Sequence, residues 1–556
     1  MPAYSIRRLI AAMALAAVAY SPAILRAQEA APPEAAVEAP ASQAAPSFER
    51  LVQQLGLGGF DDKIKAVETL TATGDARAVA ALQAMMDGNL YTQEDKVYIA
   101  ESGARDAKLK DAITGEAATI TASGASRVTV NNRLRGILRG ALGALTLFSP
   151  DPAQRASGAA ALFRSRPAEM AEPLAAALAK ETDPAAKREM EHSLAAIRLA
   201  NPGDEAQRIA AAALLGNYAD PETRALLTSL QSQEMSPALK ATVASALAKV
   251  ERSLAFWGVF NNIFQGVSLG SVLLLAAIGL AITFGVMGVI NMAHGEMIMI
   301  GAYTTYMVQE LFRAYLPGYT SWSMMFSVPA AFLVTGAIGV IIERGVIRFL
   351  YGRALETLLA TWGISLILQQ GVRTIFGPTN REVATPPWMS GAWEVVGGLT
   401  LTYNRMAIVI FSLVVLAMIA LLMRYSSFGL HMRAVTQNRR MASSLGIRTG
   451  KVDALTFGLG SGIAGIAGVA LSQISNVSPN LGQSFIIDSF MVVVFGGVGN
   501  LWGTLVGAFS LGLVNKFLEP YAGAVLGKIF VLIAIILFIQ KRPRGLFALK
   551  GRSVEA

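Results

Sequence analysis

The second half of this chain is built from long apolar segments, and they constrain its fold more than any other feature. Residues 267–290, for example, carry no charged side chain. A helix needs about 20 apolar residues to cross a bilayer, and such a helix satisfies its own backbone hydrogen bonds there. The sequence therefore predicts an all-α, polytopic membrane helix bundle over residues 256–556. Its eight or nine spans, of which the seventh and eighth are short and glycine-rich, lie roughly at 262–287, 294–312, 325–345, 356–376, 406–423, 453–474, 485–500, 501–518 and 525–540.

The N-terminus has the pattern of a secretory signal peptide at residues 1–27. Arg7 and Arg8 precede an apolar stretch, and the small residue Ala27 closes a plausible cleavage site. An uncleaved anchor helix is the alternative, and both interpretations export the domain that follows. Residues 28–46 are rich in Pro, Ala and Glu and poor in large apolar residues, so we predict a disordered linker.

Residues 47–255 have a helical pattern with recurring helix starts. Asp151, Asp183 and Asp220 each precede a proline, and so does Ser236. Asp or Ser can cap a helix N-terminus, and proline fits the first helical position. The spacing of the Asp-Pro starts resembles that of HEAT-like helix pairs. We therefore predict an exported HEAT-like domain, with a small β insertion where the sequence alternates and is rich in Thr and Gly.

Composition excludes several classes of function. The chain has no cysteine, which rules out disulfides and thiolate chemistry. Its three histidines, His192, His294 and His431, are far apart and show no metal-ligand spacing. His192 follows Glu191, and we expect it on a solvated helix face. Without a nucleophile–base pair or a basic face with stacking aromatics, we expect neither an enzyme, a metal or cofactor site, nor a nucleic-acid partner.

The distribution of Arg and Lys predicts the topology. If the first domain is exported, the third, fifth and last spans end inside, and each is followed by a basic cluster. Basic loops gather on the cytoplasmic side of a membrane. The positive net charge of +9 is thus explained by a cytoplasmic loop at 424–451 and a cytoplasmic C-terminus. The N-terminal domain is expected in the periplasm.

Ionisable residues within the apolar half are candidates for a pathway. His294 and Glu296 fall near the cytoplasmic end of the second span in this threading. One interpretation is that they line or gate a path through the membrane. The other is that they stabilise a helix N-terminus, where Asn291 caps the helix and the helix dipole favours the negative charge of Glu296. Asp488, near the outer face, has the same two interpretations.

Glycines predict both close helix packing and a broken helix. Gly460, Gly462, Gly465 and Gly468 would allow backbones to approach closely. The segment 496–500, which contains three glycines and Asn500, resembles a broken helix of the kind that lines a polar cavity. Tight packing alone is the alternative.

The loop at 424–451 contains a predicted amphipathic helix from Thr436 to Leu445, ended by Gly446. It would either receive force from a cytoplasmic partner or lie flat on the membrane surface. The segment around Gly527 and Lys528 lacks the phosphate-binding loop spacing, so any nucleotide must bind to another subunit.

Five motifs in order resemble the permeases of branched-chain amino acid ABC transporters: "GLAITFGVMGVINMAHGEMIMIGAY", "TLLATWGISLILQQGVRTIFGP", "HMRAVTQNRRMASSLGI", "VVVFGGVGNLWGTLVGA" and "RPRGLF". Within that family, "FGPTNREVATPPWMSG" and the long N-terminal region look most like the urea-type permease. The resemblance implies an inner-membrane importer subunit. Its implied partners are a second, homologous permease, two cytoplasmic ATP-binding subunits, a periplasmic substrate-binding protein and membrane lipid.

The resemblance also implies roles for individual residues. The loop resembles the family's coupling helix, which carries ATPase docking onto Arg433, Asn438, Ala442 and Gly446. Urea is the substrate expected from the motifs, and a branched-chain amino acid is the alternative substrate. An alternative of a different functional class is a passive urea or amide channel. Hydrogen-bonding residues for such a solute join the ionisable ones as predicted pathway residues: Asn291, His294, Glu296, Thr361, Asn476, Asp488 and Asn500.

Overall fold

The computed structural model describes residues 48–75, 77–93, 96–100, 108–395 and 399–547, so the predicted signal peptide and linker lie outside the described residues. Contacts divide the chain into two compact units, residues 1–134 and 135–556.

The first unit combines three helices with an antiparallel five-stranded sheet. The sheet has the strand order β4-β3-β2-β1-β5. It lies where the alternating, Thr- and Gly-rich stretch predicted a small β insertion, and it corrects the all-α class for this part of the chain. The elements are α1 (Phe48–Gly56), α2 (Phe60–Thr73), α3 (Ala78–Asp87), β1 (Leu90–Gln93), β2 (Lys96–Ala100), β3 (Lys108–Asp111), β4 (Ala117–Thr121) and β5 (Ser126–Arg127).

A set of helices follows, and its helix starts agree with the sequence. Asp151 accepts from Ala153 N at 3.0 Å, and Asp183 accepts from Ala185 N at 3.0 Å. Asp220 and Ser236 cap in the same manner. The predicted caps are confirmed, whereas the HEAT-like assignment stays a prediction. The helices are α4 (Asn132–Thr146), α5 (Pro152–Ser165), α6 (Ala171–Lys180), α7 (Pro184–Ala200), α8 (Glu205–Leu215) and α9 (Pro221–Gln231).

His192 is buried in this helical layer, so the expectation of a solvated face is wrong. Its ring stacks between Phe163, at 4.2 Å between centroids, and Tyr218, at 4.4 Å. Its Nε2 lies 2.6 Å from Thr223 Oγ1. Two aromatic neighbours distant in sequence bury the imidazole, and the spacing on its own helix could not reveal them.

A single helix, α10 (Pro237–Met287), runs from this layer into the apolar half over 51 residues. Its N-terminal part buries the predicted stripe that includes Leu239, Val243 and Val250. Its C-terminal part is buried on nearly all sides. The predicted domain boundary at 255/256 therefore falls inside one continuous helix.

The apolar half contains nine further helices among the described residues. They are α11 (His294–Tyr315), α12 (Ser323–Gly345), α13 (Ala354–Phe376), α14 (Tyr403–Tyr425), α15 (Ser427–Gln437), α16 (Arg439–Ser444), α17 (Thr449–Ser472), α18 (Leu481–Gly496) and α19 (Leu501–Lys541), with a hairpin of β6 (Ala392–Glu394) and β7 (Thr400–Thr402).

Every predicted span coincides with a helix or part of one. Within the described ranges, five helical segments are long and apolar enough to cross a membrane, including α10, α14, α17 and α19. Helix α19 breaks at Gly523, which has φ 75°, so it contains both of the last two predicted spans. Helices α11 and α13 are long but more polar, and α18 has only 16 residues. A count of nine crossings stays a prediction.

Glycines allow α17 to pack at the centre of the bundle. A Cβ on Gly460 would lie 2.7 Å from the carbonyl oxygen of Gly279, and one on Gly465 would lie 2.8 Å from that of Ala331. Contacts this short exclude any side chain. The predicted close approach of backbones is thus observed, and α17 is buried along most of its length.

Candidate functional site

Helix α13 turns a polar stripe inward and an apolar face outward. Thr357, Thr361, Ser365 and Gln369 recur every four residues and are all buried. Leucine, isoleucine and tryptophan side chains of the same helix are exposed. A soluble helix would show the opposite arrangement. This polarity suits a helix that faces lipid on one side and a polar path on the other.

The connector between α10 and α11 runs back along α10 and reaches this stripe. Met292 N donates to Thr361 Oγ1 at 3.1 Å. His294 is fully buried, and its Nε2 donates to the carbonyl oxygen of Ala276 at 2.8 Å. Ala276 precedes the end of α10 at Met287 by eleven residues, which corresponds to about 16 Å of helix.

His294 and Glu296 therefore lie in the first turn of α11, which packs against α10 about 16 Å before the end of that helix. Their position relative to the faces of the membrane stays a prediction. Asn291 accepts from Ala293 N at 3.0 Å, one residue ahead of the helix, and Glu296 lies in the first turn of α11, as the capping interpretation expected. The N-cap residue of α11, Ala293, has no side-chain cap.

Glu296 contacts the stripe at the midpoint of α13. Ser365 Oγ donates to Glu296 Oε1 at 2.9 Å. Glu296 is 1% exposed, and its Oε2 has no hydrogen-bond partner in the described part of the chain. We call the group formed by Asn291, Glu296, Thr361, Ser365 and Gln369 the polar seam.

Helix α18 begins at the outer edge of the polar seam. Gln369 Nε2 donates to Pro479 O and Asn480 Oδ1, each at 3.3 Å. A Cβ on Gly295 would lie 2.7 Å from Gly482 O, so the first turns of α11 and α18 touch through two glycines. The start of α18 is thus fixed against both α11 and α13.

Four predicted pathway residues are not part of the polar seam: His294, described above, and Asn476, Asp488 and Asn500. Asn476 is exposed. Asp488 is buried on α18, where Lys528 Nζ lies 2.7 Å from its Oδ2 and joins α18 to the second part of α19. Asn500 caps α19 by accepting from Trp502 N at 3.0 Å. The predicted broken helix is present, since residues 497–500 separate α18 from α19.

The loop after α14 holds two short helices instead of the one predicted from Thr436 to Leu445. Asn438 interrupts them with an extended backbone and caps α16 by accepting from Met441 N at 2.9 Å. Gly446 has φ 86° and ends α16, because Ile447 N donates to Ala442 O at 3.1 Å. The correction arises because Thr436 belongs to α15, whose hydrogen bonds stop at Asn438.

The four residues expected to dock an ATPase lie on this loop in different environments. Ala442 is buried, while Met441 on the same short helix and Leu445 at its C-cap are exposed. Arg433 is exposed and donates to the carbonyl oxygen of Met423. Helix α16 is therefore anchored by one small residue and presents apolar side chains outward.

An ionic network joins α16 to the bundle. Arg439 pairs with Asp453 of α17, and its guanidinium lies 4.7 Å from the ring centroid of Tyr351. Tyr351 OH donates to Glu343 Oε1 at 3.0 Å. Burial, together with the charges of Asp453 and Glu343, raises the pKa of Tyr351, so its hydroxyl remains a donor.

A cavity of about 1120 Å³ lies beside the same loop. It is lined by the C-terminal end of α10, by α14 and α15, and by Asn500 and Trp502. Arg424 and Arg433 also line it. This cavity is on the loop side of the bundle and does not include the polar seam.

Sequence reasoning missed Ser365, Gln369 and the Arg439 network. The four-residue spacing of Thr357, Thr361, Ser365 and Gln369 was a usable signal for the stripe. The network had no such signal, because Arg439, Asp453 and Tyr351 come from three separate elements.

Comparisons with known proteins agree with this architecture. The family model for the permease component of branched-chain amino acid transport systems matches residues 262–539. The high-affinity branched-chain amino acid transport system permease protein LivH of Escherichia coli is 34% identical over 295 residues, covering 51% of this chain and 94% of that relative. The corresponding permease protein BraD of Pseudomonas aeruginosa is 29% identical over 292 residues, with the same coverage. No solved structure matches the chain.

Proposed function

Because the chain belongs to the family of permease components of branched-chain amino acid transport systems, we propose that it forms half of the membrane path of an ABC importer. The family match and the apolar helices make it a multi-pass membrane protein and a transport subunit. The proposal concerns its substrate, its orientation and its partners.

The comparisons favour a branched-chain amino acid over urea as the substrate. LivH, BraD and an archaeal relative each match over most of their own length, and all three are named for branched-chain amino acids. The urea expectation rests only on short motifs and on the N-terminal region, which lies outside the matched residues. We therefore propose a branched-chain amino acid as the first candidate, with urea as the second.

The partners follow from the loop that carries α15 and α16. Helix α16 is six residues long, is capped at both ends and exposes Met441 and Leu445. This geometry suits insertion into a groove of a cytoplasmic ATPase. We propose two such ATPases, a second permease subunit and a periplasmic substrate-binding protein, with residues 424–451 in the cytoplasm and the N-terminal helices in the periplasm.

Uptake measurements test this proposal. A strain that lacks this subunit is complemented with the wild-type chain, and uptake of labelled leucine and labelled urea is compared. We expect restoration of leucine uptake. If only urea uptake is restored, urea is the substrate. If neither leucine nor urea uptake is restored, both candidate substrates are refuted.

A variant pair tests coupling. Gly446→Glu places a charged side chain at a residue with φ 86°, whereas Gly450→Glu places one on an exposed helical residue of α17. We expect Gly446→Glu to abolish ATP-driven uptake at equal membrane levels, while Gly450→Glu retains it. Uptake by purified protein in liposomes without ATPase subunits would instead indicate a passive channel.

A further inference from the structure

The carboxylate of Glu296 is buried in the helix bundle, and only one of its two oxygens has a hydrogen-bond partner in the described part of the chain. One of its oxygens accepts from Ser365 Oγ at 2.9 Å, and the other, Oε2, is buried without a partner among the residues described. A carboxylate offers about four acceptor positions. Leaving a buried acceptor unpaired is energetically unfavourable, so such groups in membrane interiors mark functional sites.

A second observation points to the same place. Helix α18 starts beside the backbone of Glu296, because a Cβ on Gly482 would lie 3.1 Å from Glu296 N. The N-cap residue Asn480 makes no side-chain cap, and the amides of Gly482 and Gln483 find no acceptor in the described chain. A helix N-terminus carries a partial positive charge and free N–H donors.

The carboxylate of Glu296 and the amides at the start of α18 have opposite charge character, and they bind different kinds of group. The carboxylate accepts hydrogen bonds from nitrogen, whereas the amides at the start of α18 donate to oxygen. A solute with N–H donors beside a carbonyl or carboxylate oxygen satisfies both at once. Asn480 is exposed, so the outer edge of this arrangement is open to a solute.

We propose that Glu296 Oε2 and the first turn of α18 form a binding site for the nitrogen-and-oxygen end of the transported solute. Glu296 and Ser365 hold the nitrogen, and the amides of Gly482 and Gln483 hold the oxygen. This inference rests on the proposed function and specifies where its substrate binds. The apolar part of an amino acid would point away from the polar seam.

The charge of the nitrogen separates the two substrate candidates. An α-amino acid presents an ammonium group, which needs a negative carboxylate. Urea presents neutral N–H donors, for which a glutamine carbonyl is an adequate acceptor. Glu296→Gln should therefore impair amino-acid transport strongly and urea transport weakly, whereas Glu296→Met removes the acceptor for both at similar volume.

The experiment uses the complete importer, reconstituted with its ATPases, partner permease and binding protein in liposomes. Uptake of labelled leucine and labelled urea is measured for wild type, Glu296→Gln and Glu296→Met. We expect Glu296→Met to reduce uptake of the transported solute at least about tenfold, as for loss of a charge-assisted hydrogen bond. Basal ATP hydrolysis and complex yield should stay within about twofold, which distinguishes loss of solute binding from loss of fold.

Glu310→Gln provides the matched control, because Glu310 lies on the same helix and its side chain is 40% exposed beside Arg313. It should leave uptake unchanged. Near-normal uptake by Glu296→Met, with wild type active, would overturn the site while leaving the proposed function intact. Failure of the wild type itself with both solutes would refute the proposed function instead. Loss of complex yield in Glu296→Met alone would assign the carboxylate a folding role and overturn the binding role.

Discussion

Removing Arg439 should destabilise the bundle through the carboxylate that it leaves behind. Asp453 is fully buried, and Arg439 is its charged partner. Breaking a fully buried pair by deleting one partner costs about 3–5 kcal/mol. Because the Arg439 side chain is 41% exposed, water screens the pair, and we expect roughly 2–3 kcal/mol for Arg439→Ala. Loss of the stacking on Tyr351 contributes to this figure.

The expected change in melting temperature follows from the size of the unit. Residues 135–556 comprise 422 residues, since 556 − 135 + 1 = 422. At about 2.1 cal/mol/K per residue, the unfolding entropy is about 0.9 kcal/mol/K, so 2–3 kcal/mol lowers the midpoint by roughly 3 °C. Membrane helices retain structure on heating, which reduces the entropy and enlarges the shift.

The assay is thermal aggregation of the detergent-solubilised protein followed by size-exclusion chromatography. Arg440→Ala is the control, because Arg440 is the exposed neighbour of Arg439. Adding Asp453→Asn to Arg439→Ala should recover part of the loss, since the unpaired charge is gone. Equal midpoints for the two alanine variants, or strictly additive effects of Arg439→Ala and Asp453→Asn, would refute the reasoning.

Three other perturbations have expected outcomes. The hydrogen bond from Arg155 lowers the pKa of Glu181 from 4.5 to about 2. The stabilisation that ionised Glu181 gives the fold is therefore present above pH 4.5 and is lost as the pH falls toward 2. The melting temperatures of wild type and Glu181→Gln should converge over that range, and a constant difference would contradict this. Gly468→Ala should reduce the yield of folded protein, because its Cβ would overlap Ile298 O, whereas Gly363→Ala, with nothing within 4 Å, should not; equal yields would be inconsistent with the packing. His192→Ala should lower the free energy of unfolding by about 2–3 kcal/mol, because it removes the ring stacking and a buried hydrogen bond. Thermal unfolding measures this, with His431→Ala at an exposed histidine as the control. Equal midpoints of the two variants would count against a packed imidazole.

Helix positions in the apolar half were predictable because lipid imposes a simple rule. Every predicted span falls on a helix, and the Asp-Pro starts at Asp151 and Asp183 are caps in the structure. These signals are local, since they depend on residues within one or two turns. The broken segment at 497–500 was recognisable for the same reason, from its glycines.

Contacts between distant residues were not predictable from local patterns. The contact of His294 with Ala276 results from a connector that runs back along α10, which no local pattern encodes. The burial of His192 depends on Phe163 and Tyr218 from neighbouring helices. The five-stranded sheet was indicated only by alternation, and its pairing across the chain was not.

Because helix α10 is uninterrupted, a movement of the helices packed against its first half is transmitted to the residues packed against its second half. Its 51 residues extend about 77 Å, so a pivot of 10° about its middle moves each end by roughly 7 Å. Its first half packs with α8 and α9, and its second half touches His294 and the glycines of α17. A protein that pushes on α8 or α9 would therefore act, through one continuous helix, on the residues around His294.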